Sequence, residues 1–104
     1  MKLLDLIIKE YIAIVGTLAE DNPVENGRII VEREDFKKML EQYAYIPFAA
    51  KTKAYKALNF IIHDSNNYTM PWKDTQLKKT VRKVIINYNT YLVIKHLYET
   101  DLNL

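Results

Sequence analysis

The stretch from Ile46 to Tyr88, IPFAAKTKAYKALNFIIHDSNNYTMPWKDTQLKKTVRKVIINY, constrains the fold more than any other, because its hydrophobic period changes three times. Residues 49–59 read as a short lysine-bearing helix, residues 60–63 as a strand, residues 64–80 as a long polar loop, and residues 81–87 as a second strand that starts basic and ends apolar. Pro71 excludes a central strand within the loop, since it cannot donate to a ladder. A helix followed by a basic hairpin calls for an α+β domain with a small antiparallel sheet. The segments on either side then read as scaffold and clamp.

Ahead of this stretch, Leu3, Leu4, Ile7, Ile8, Tyr11, Ile14, Val15 and Leu18 recur at helical spacing, with Lys2, Asp5, Lys9 and Glu20 opposite, which predicts an amphipathic helix over 3–19. Leu6 and Ile12 fall outside that stripe, either as ordinary exposed apolar residues or as a second-subunit contact. Asn22-Pro23 and Asn26-Gly27 make residues 20–27 a loop, and residues 28–31 form a short β-branched strand. Glu32, Glu34 and Asp35 suit the start of a helix, and Phe36, Met39, Leu40 and Tyr43 give it one buried face. That helix ends near Ala44, because Pro47 disfavours helical backbone at Ile46. A last helix over 90–99 takes Asn89 as its N-cap, with Val93, Ile94, Leu97 and Tyr98 as an apolar face for the core or a dimer seam; residues 100–104 fray.

The chain's 104 residues fit one domain, 1–104, with a single modest core. With no cysteine, neither a disulfide framework nor a thiolate metal site can form, which suits a cytoplasmic location. Asp5, Lys9 and Glu10 interrupt the only long apolar run, so no membrane span is expected.

Charge is divided unevenly. Residues 1–50 carry six Lys/Arg and nine Asp/Glu, a balance of −3, whereas residues 51–104 carry nine and four, a balance of +5. The second half therefore favours an anionic partner over a merely solvated surface. In the 49–59 helix, Ala50, Ala54, Ala57 and Leu58 are expected to pack inward, while Ala49, Thr52, Lys53 and Lys56 face outward and Lys51 and Tyr55 lie on the flank. Over 63–83 the cations Lys73, Lys78, Lys79, Arg82 and Lys83 face only Asp64 and Asp74, and a hairpin tip with that charge can follow a phosphate backbone. Tyr68, Met70 and Trp72 are interleaved with them; the expectation for Trp72 is an anchor to the protein's own core rather than a ligand contact.

Catalytic patterns are missing. His63 and His96 lack metal-ligand spacing, Gly16 and Gly27 cannot assemble a nucleotide-binding loop, and Ser65, the one serine, lacks flanking glycines. The expectation is a non-enzymatic protein without cofactor or metal.

The order helix, strand, helix, turn, helix, strand, basic loop, strand, helix resembles the winged helix-turn-helix family of DNA-binding domains over residues 3–99. REDFKKMLEQYAYIPFAAKTKAYKALNF corresponds to the helix-turn-helix, and NFIIHDSNNY with KKTVRKVIINYN to the wing. Within the family the chain is similar to small accessory proteins of conjugative plasmids that bind an origin of transfer. The resemblance implies a recognition helix over 49–59 and a wing over 64–80. DNA contacts would then come from Lys51, Thr52, Lys53, Lys56, Lys73, Lys78, Lys79, Arg82 and Lys83, with no catalytic or metal residues. It implies double-stranded DNA as partner, a homodimer, and contact with other DNA-processing proteins. The wing is long and the recognition helix has no arginine, so the wing is expected to carry more of the affinity. Lys53, Lys56 and the cations between Trp72 and Val84 should then form one positive strip. The other readings are a protein-interaction adaptor and a transcriptional regulator.

Overall fold

The computed structural model describes residues 3–42, 46–64 and 67–102. They form an α+β domain of four helices and a small antiparallel sheet: α1 (Leu3–Asp21), β1 (Arg28–Glu32), α2 (Arg33–Glu41), α3 (Phe48–Ala57), β2 (Ile61–Ile62), β3 (Met70–Asp74), β4 (Lys79–Asn87) and α4 (Tyr88–Leu102). The expectations for Lys2, for the turn through residues 43–45, and for Ser65 fall outside the described residues.

β4 is the spine of the sheet. Lys83 stands opposite Glu32 of β1 and also opposite Met70 of β3, so those two strands occupy opposite edges of β4. β2 pairs with Ile85 and Ile86 on the edge that β3 shares. Ile62 pairs with Ile85 and Met70 with Lys83, so Val84 is the one β4 residue between the β2 and β3 pairings. The expected featureless loop over 64–80 is therefore corrected. Half of the hairpin lies inside it, with β3 as an edge strand where Pro71 breaks no second ladder.

Strand period decides the core. Ile29, Val31, Val84, Ile86 and Ile61 are buried on one sheet face, beneath the helices. Tyr11 of α1 sits at the centre, stacked on Phe60 at 3.8 Å and edge-on to Tyr55 and Tyr91. Its single hydroxyl proton is shared between the Asn87 carbonyl at 2.9 Å and the Phe60 carbonyl at 3.3 Å, tying α1 to two strand ends. Burial, with Tyr91 beside it, pushes the Tyr11 phenol well above its ordinary range. Leu6 and Ile12, expected outside the core stripe, pack half-buried against the same core.

The last helix begins earlier than its sequence suggests. Asn87, not Asn89, caps it, accepting from the Thr90 amide at 3.3 Å, and the helix runs on to Leu102. Asn89 instead packs on Gly27, whose φ of 72° already favours glycine; a Cβ there would lie 2.5 Å from Asn89 Nδ2. Starting at Tyr88 rotates the inward face to Tyr91 and Ile94, leaving Leu92, Val93 and Leu97 exposed. The expected apolar face thus splits between core and solvent.

Candidate nucleic-acid interface

α3 departs most from its expected orientation. Its buried residues are Lys51, Thr52 and Tyr55, whereas Ala50, Ala57 and Leu58 are exposed and Ala54 is half-buried. The cause is the size of Tyr55, which inserts among Tyr11, Phe36 and Phe60 and outweighs an alanine face with little area to bury. Turning Tyr55 inward carries Lys51 and Thr52 with it.

Lys51 is consequently only 1% exposed, and Glu10 of α1 only 5%. Lys51 Nζ lies 2.7 Å from Glu10 Oε2, and Tyr55 donates its hydroxyl to Glu10 Oε1 at 2.8 Å. Lys51 Nζ also donates to the Leu40 carbonyl in the last turn of α2, where a cation complements the helix dipole. One ammonium thus ties α1, α2 and α3 together. Thr52 hydrogen-bonds the Ala49 carbonyl at 3.1 Å within its own helix. The expected accessible positions of Lys51 and Thr52 are therefore corrected: neither side chain reaches a surface partner. Lys53 is exposed and Lys56 half-buried, so α3 offers two lysines rather than three.

The hairpin of β3 and β4 is closed by Thr75–Lys78. Asp74 Oδ1 accepts from the Gln76 and Leu77 amides, both at 2.9 Å, and Lys78 adopts a left-handed φ of 53°. Lys73, Lys78 and Lys79 are exposed, and among the described residues none of them is paired with a carboxylate. Arg82 and Lys83 are committed elsewhere. Arg82 Nη2 meets Asp64 Oδ2 and the Thr69 carbonyl, each at 2.7 Å, and Arg82 Nε meets Thr69 Oγ1 at 2.7 Å, which staples Asp64 and Thr69 to β4. Lys83 pairs with Glu32 at 2.8 Å across the β1–β4 ladder, its side chain 18% exposed.

Register also divides the hairpin cations. Residues 71, 73, 80 and 82 share the core-side face, while 70, 72, 74, 79, 81 and 83 share the other. Lys73 and Lys79 therefore leave opposite faces, and the expected single strip becomes two flanks of one hairpin. Its base adjoins α3 through Tyr68, which packs edge-on against Phe48 at 5.4 Å and stacks with Phe36 at 6.0 Å.

The anchoring role expected of Trp72 belongs to Tyr68. Trp72 is 38% exposed and lines an open recess of about 360 Å³ with Lys73, Asp74, Thr75, Gln76 and Lys83. The i, i+2, i+4 spacing of Tyr68, Met70 and Trp72 was the available signal, because it places Met70 and Trp72 on one strand face. No helix among the described residues is long and apolar enough to cross a membrane. No protein-family model matches the chain, and comparison with curated proteins gives no significant match.

Proposed function

We propose that this chain is a non-enzymatic winged helix-turn-helix protein that binds specific double-stranded DNA sites. In this reading α3 is the recognition helix and the β3–β4 hairpin the wing. The observation that carries it is the hairpin itself: Lys73, Lys78 and Lys79 are exposed, lack carboxylate partners among the described residues, and surround a turn fixed by Asp74, on a hairpin whose base meets α3 through Tyr68 and Phe48. Unneutralised ammonium groups on a rigid protrusion suit phosphate contacts, which position a protein on duplex DNA. α3 lacks arginine for bidentate guanine contacts, so its exposed face meets base edges through the methyl groups of Ala49 and Ala50, with Lys53 and Lys56 on the flanking phosphates. The process we infer is conjugative transfer or replication of a plasmid or mobile element, following the sequence resemblance to origin-of-transfer-binding accessory proteins such as TcpK of clostridial plasmids.

Anisotropy titrations of labelled duplex across a salt series test this. If Lys53, Lys56, Lys73, Lys78 and Lys79 all contact phosphate, log affinity should fall with log salt at a slope of about −4.5. Replacing Lys73, Lys78 and Lys79 with alanine should flatten it by about 2.7. A flat slope for the unaltered protein rejects the reading.

A second reading, a protein-interaction adaptor or transcriptional regulator, is favoured by one observation, the exposed Leu92, Val93 and Leu97 of α4. Within the DNA reading the same residues form the seam of a homodimer on repeated sites. A tight protein partner combined with no duplex shift at low salt would select the adaptor.

A further inference from the structure

We propose that Trp72 is a stacking platform for an unpaired base, so that the hairpin takes single-stranded DNA adjoining the duplex that α3 faces. This rests on DNA being the partner of the basic hairpin, and it adds a second form of DNA to the substrate.

The core's aromatic contacts join Tyr11, Phe36, Phe48, Tyr55, Phe60, Tyr68, Tyr88 and Tyr91, and among the described residues Trp72 takes part in none of them. It lies on an edge strand opposite Val81, on the sheet face away from the helices, with Lys79 and Lys83 two residues to either side of its partner. The recess of about 360 Å³ that it lines is walled by Lys73, Asp74, Thr75, Gln76 and Lys83. An apolar ring flanked by a few convergent polar groups is the usual make-up of a small binding site. Asp74 has its Oδ1 occupied by two backbone amides, so the wall it forms is fixed. Lys79 shares the sheet face of Trp72 and can follow the phosphate beside a stacked nucleotide, while Lys73 borders the recess at the strand edge.

The chemistry of the occupant follows from the indole. Bases inside a duplex have both faces covered by their neighbours, so a ring can stack only on one that has left the helix or was never paired. Stacking reads no hydrogen-bond pattern and tolerates any base. A protein using α3 on duplex and Trp72 on an unpaired nucleotide would favour a junction between the two.

Trp72 is the chain's only tryptophan, so its intrinsic fluorescence reports this site without labelling. The unaltered full chain is titrated with a blunt duplex, the same duplex carrying a single-stranded tail, the single strand alone, and phosphatidylserine/phosphatidylcholine vesicles. Anisotropy of labelled DNA is followed in parallel. The tailed duplex and the single strand should quench the indole, and Trp72→Ala should weaken tailed-duplex binding by about 5- to 150-fold. Trp72→Phe should retain most of that affinity, and blunt-duplex binding should change less than twofold in both variants. Equal affinity for tailed and blunt duplex overturns the proposal, as does fluorescence that responds to vesicles and not to DNA. Steep salt-dependent duplex binding with a silent indole sinks the stacking site while leaving the proposed function standing. Quenching by single strand without any duplex binding does the reverse.

Discussion

Replacing Lys51 with methionine should be among the most damaging single changes in this domain, although its side chain is too buried to meet a surface partner. Methionine keeps much of the stem's volume and removes the ammonium. Glu10 is then left at 5% exposure without its cation, keeping the Tyr55 hydroxyl as its contact in this cluster, and the Leu40 carbonyl loses its side-chain donor. Removing one partner of a buried pair costs about 3–5 kcal/mol, and the surviving Tyr55 bond places the expectation near 3. A domain of this size has about 5–15 kcal/mol in all, so the variant should remain foldable while its urea midpoint falls by about 1–3 M.

The decisive measurement is the order of three variants in urea unfolding. In Glu10→Leu/Lys51→Met the carboxylate goes with its cation; the Tyr55 hydroxyl loses its Glu10 acceptor and the Leu40 carbonyl its side-chain donor, at a cost of about 1–3 kcal/mol. Adding Tyr55→Phe removes the hydroxyl that Glu10 accepted from, and stability should return to within about 1 kcal/mol of the unaltered protein, since well-packed apolar groups can replace a buried ion pair at little cost. Stability should thus rise as substitutions accumulate. If Lys51→Met alone costs under about 1 kcal/mol, or if the triple variant is the weakest, the cluster does not work through charge burial and the argument for α3's orientation fails.

Three further outcomes follow from contacts elsewhere. Because the folded Tyr11 phenol titrates above its unfolded value of about 10, its contribution is complete below pH 10 and declines above it, by about 1.4 kcal/mol per pH unit; urea unfolding of Tyr11→Phe between pH 9 and 11 should show a shallower decline. Arg82→Met should cost about 1–2 kcal/mol after allowing for the solvent exposure of its ion pair, and should speed hydrogen exchange at the amides of residues 67–69, while leaving the salt slope of DNA binding within about 0.5 of its original value. Leu97→Asp on the exposed α4 face should shift a dimer to monomer in light scattering without lowering the urea midpoint; an unchanged mass distribution removes α4 as the seam.

The elements that strong periodicity or a turn pair marks were legible in the sequence. The apolar stripe of α1 and the strand after Asn26-Gly27 appear where local rules place them, whereas α2 closes at Glu41 and the stop expected near Ala44 falls outside the described residues. β3 was not legible, because Pro71 and the charged residues around it argue against a strand, and only its pairing along β4 stabilises one. α3 defeated the helical wheel for a different reason. A wheel counts alanines as inward and lysines as outward, but Glu10, some forty residues earlier and read only as a break in an apolar run, makes an inward lysine affordable. Likewise Asp64 and Glu32 are unremarkable in sequence, yet through Arg82 and Lys83 they neutralise two of the cations that seemed most suited to a ligand.

Those hidden pairings change the balance between helix and hairpin in a way that a charge count misses. The sequence assigns three lysines to the helix and five cations to the hairpin region; the fold leaves Lys53 and Lys56 on α3 and Lys73, Lys78 and Lys79 on the hairpin. The ratio hardly changes, but the geometry does. The lost hairpin charges lie toward the sheet, and the remaining ones surround the turn that Asp74 fixes. Affinity should therefore concentrate at the hairpin's far end. Reversing one charge there, as in Lys78→Glu, should weaken DNA binding more than the double change Arg82→Met/Lys83→Met, although both lower the net charge by the same amount. Equal losses from both variants would mean that Arg82 and Lys83 leave their carboxylates on binding, and that the Arg82 bonds to Asp64 and Thr69 open.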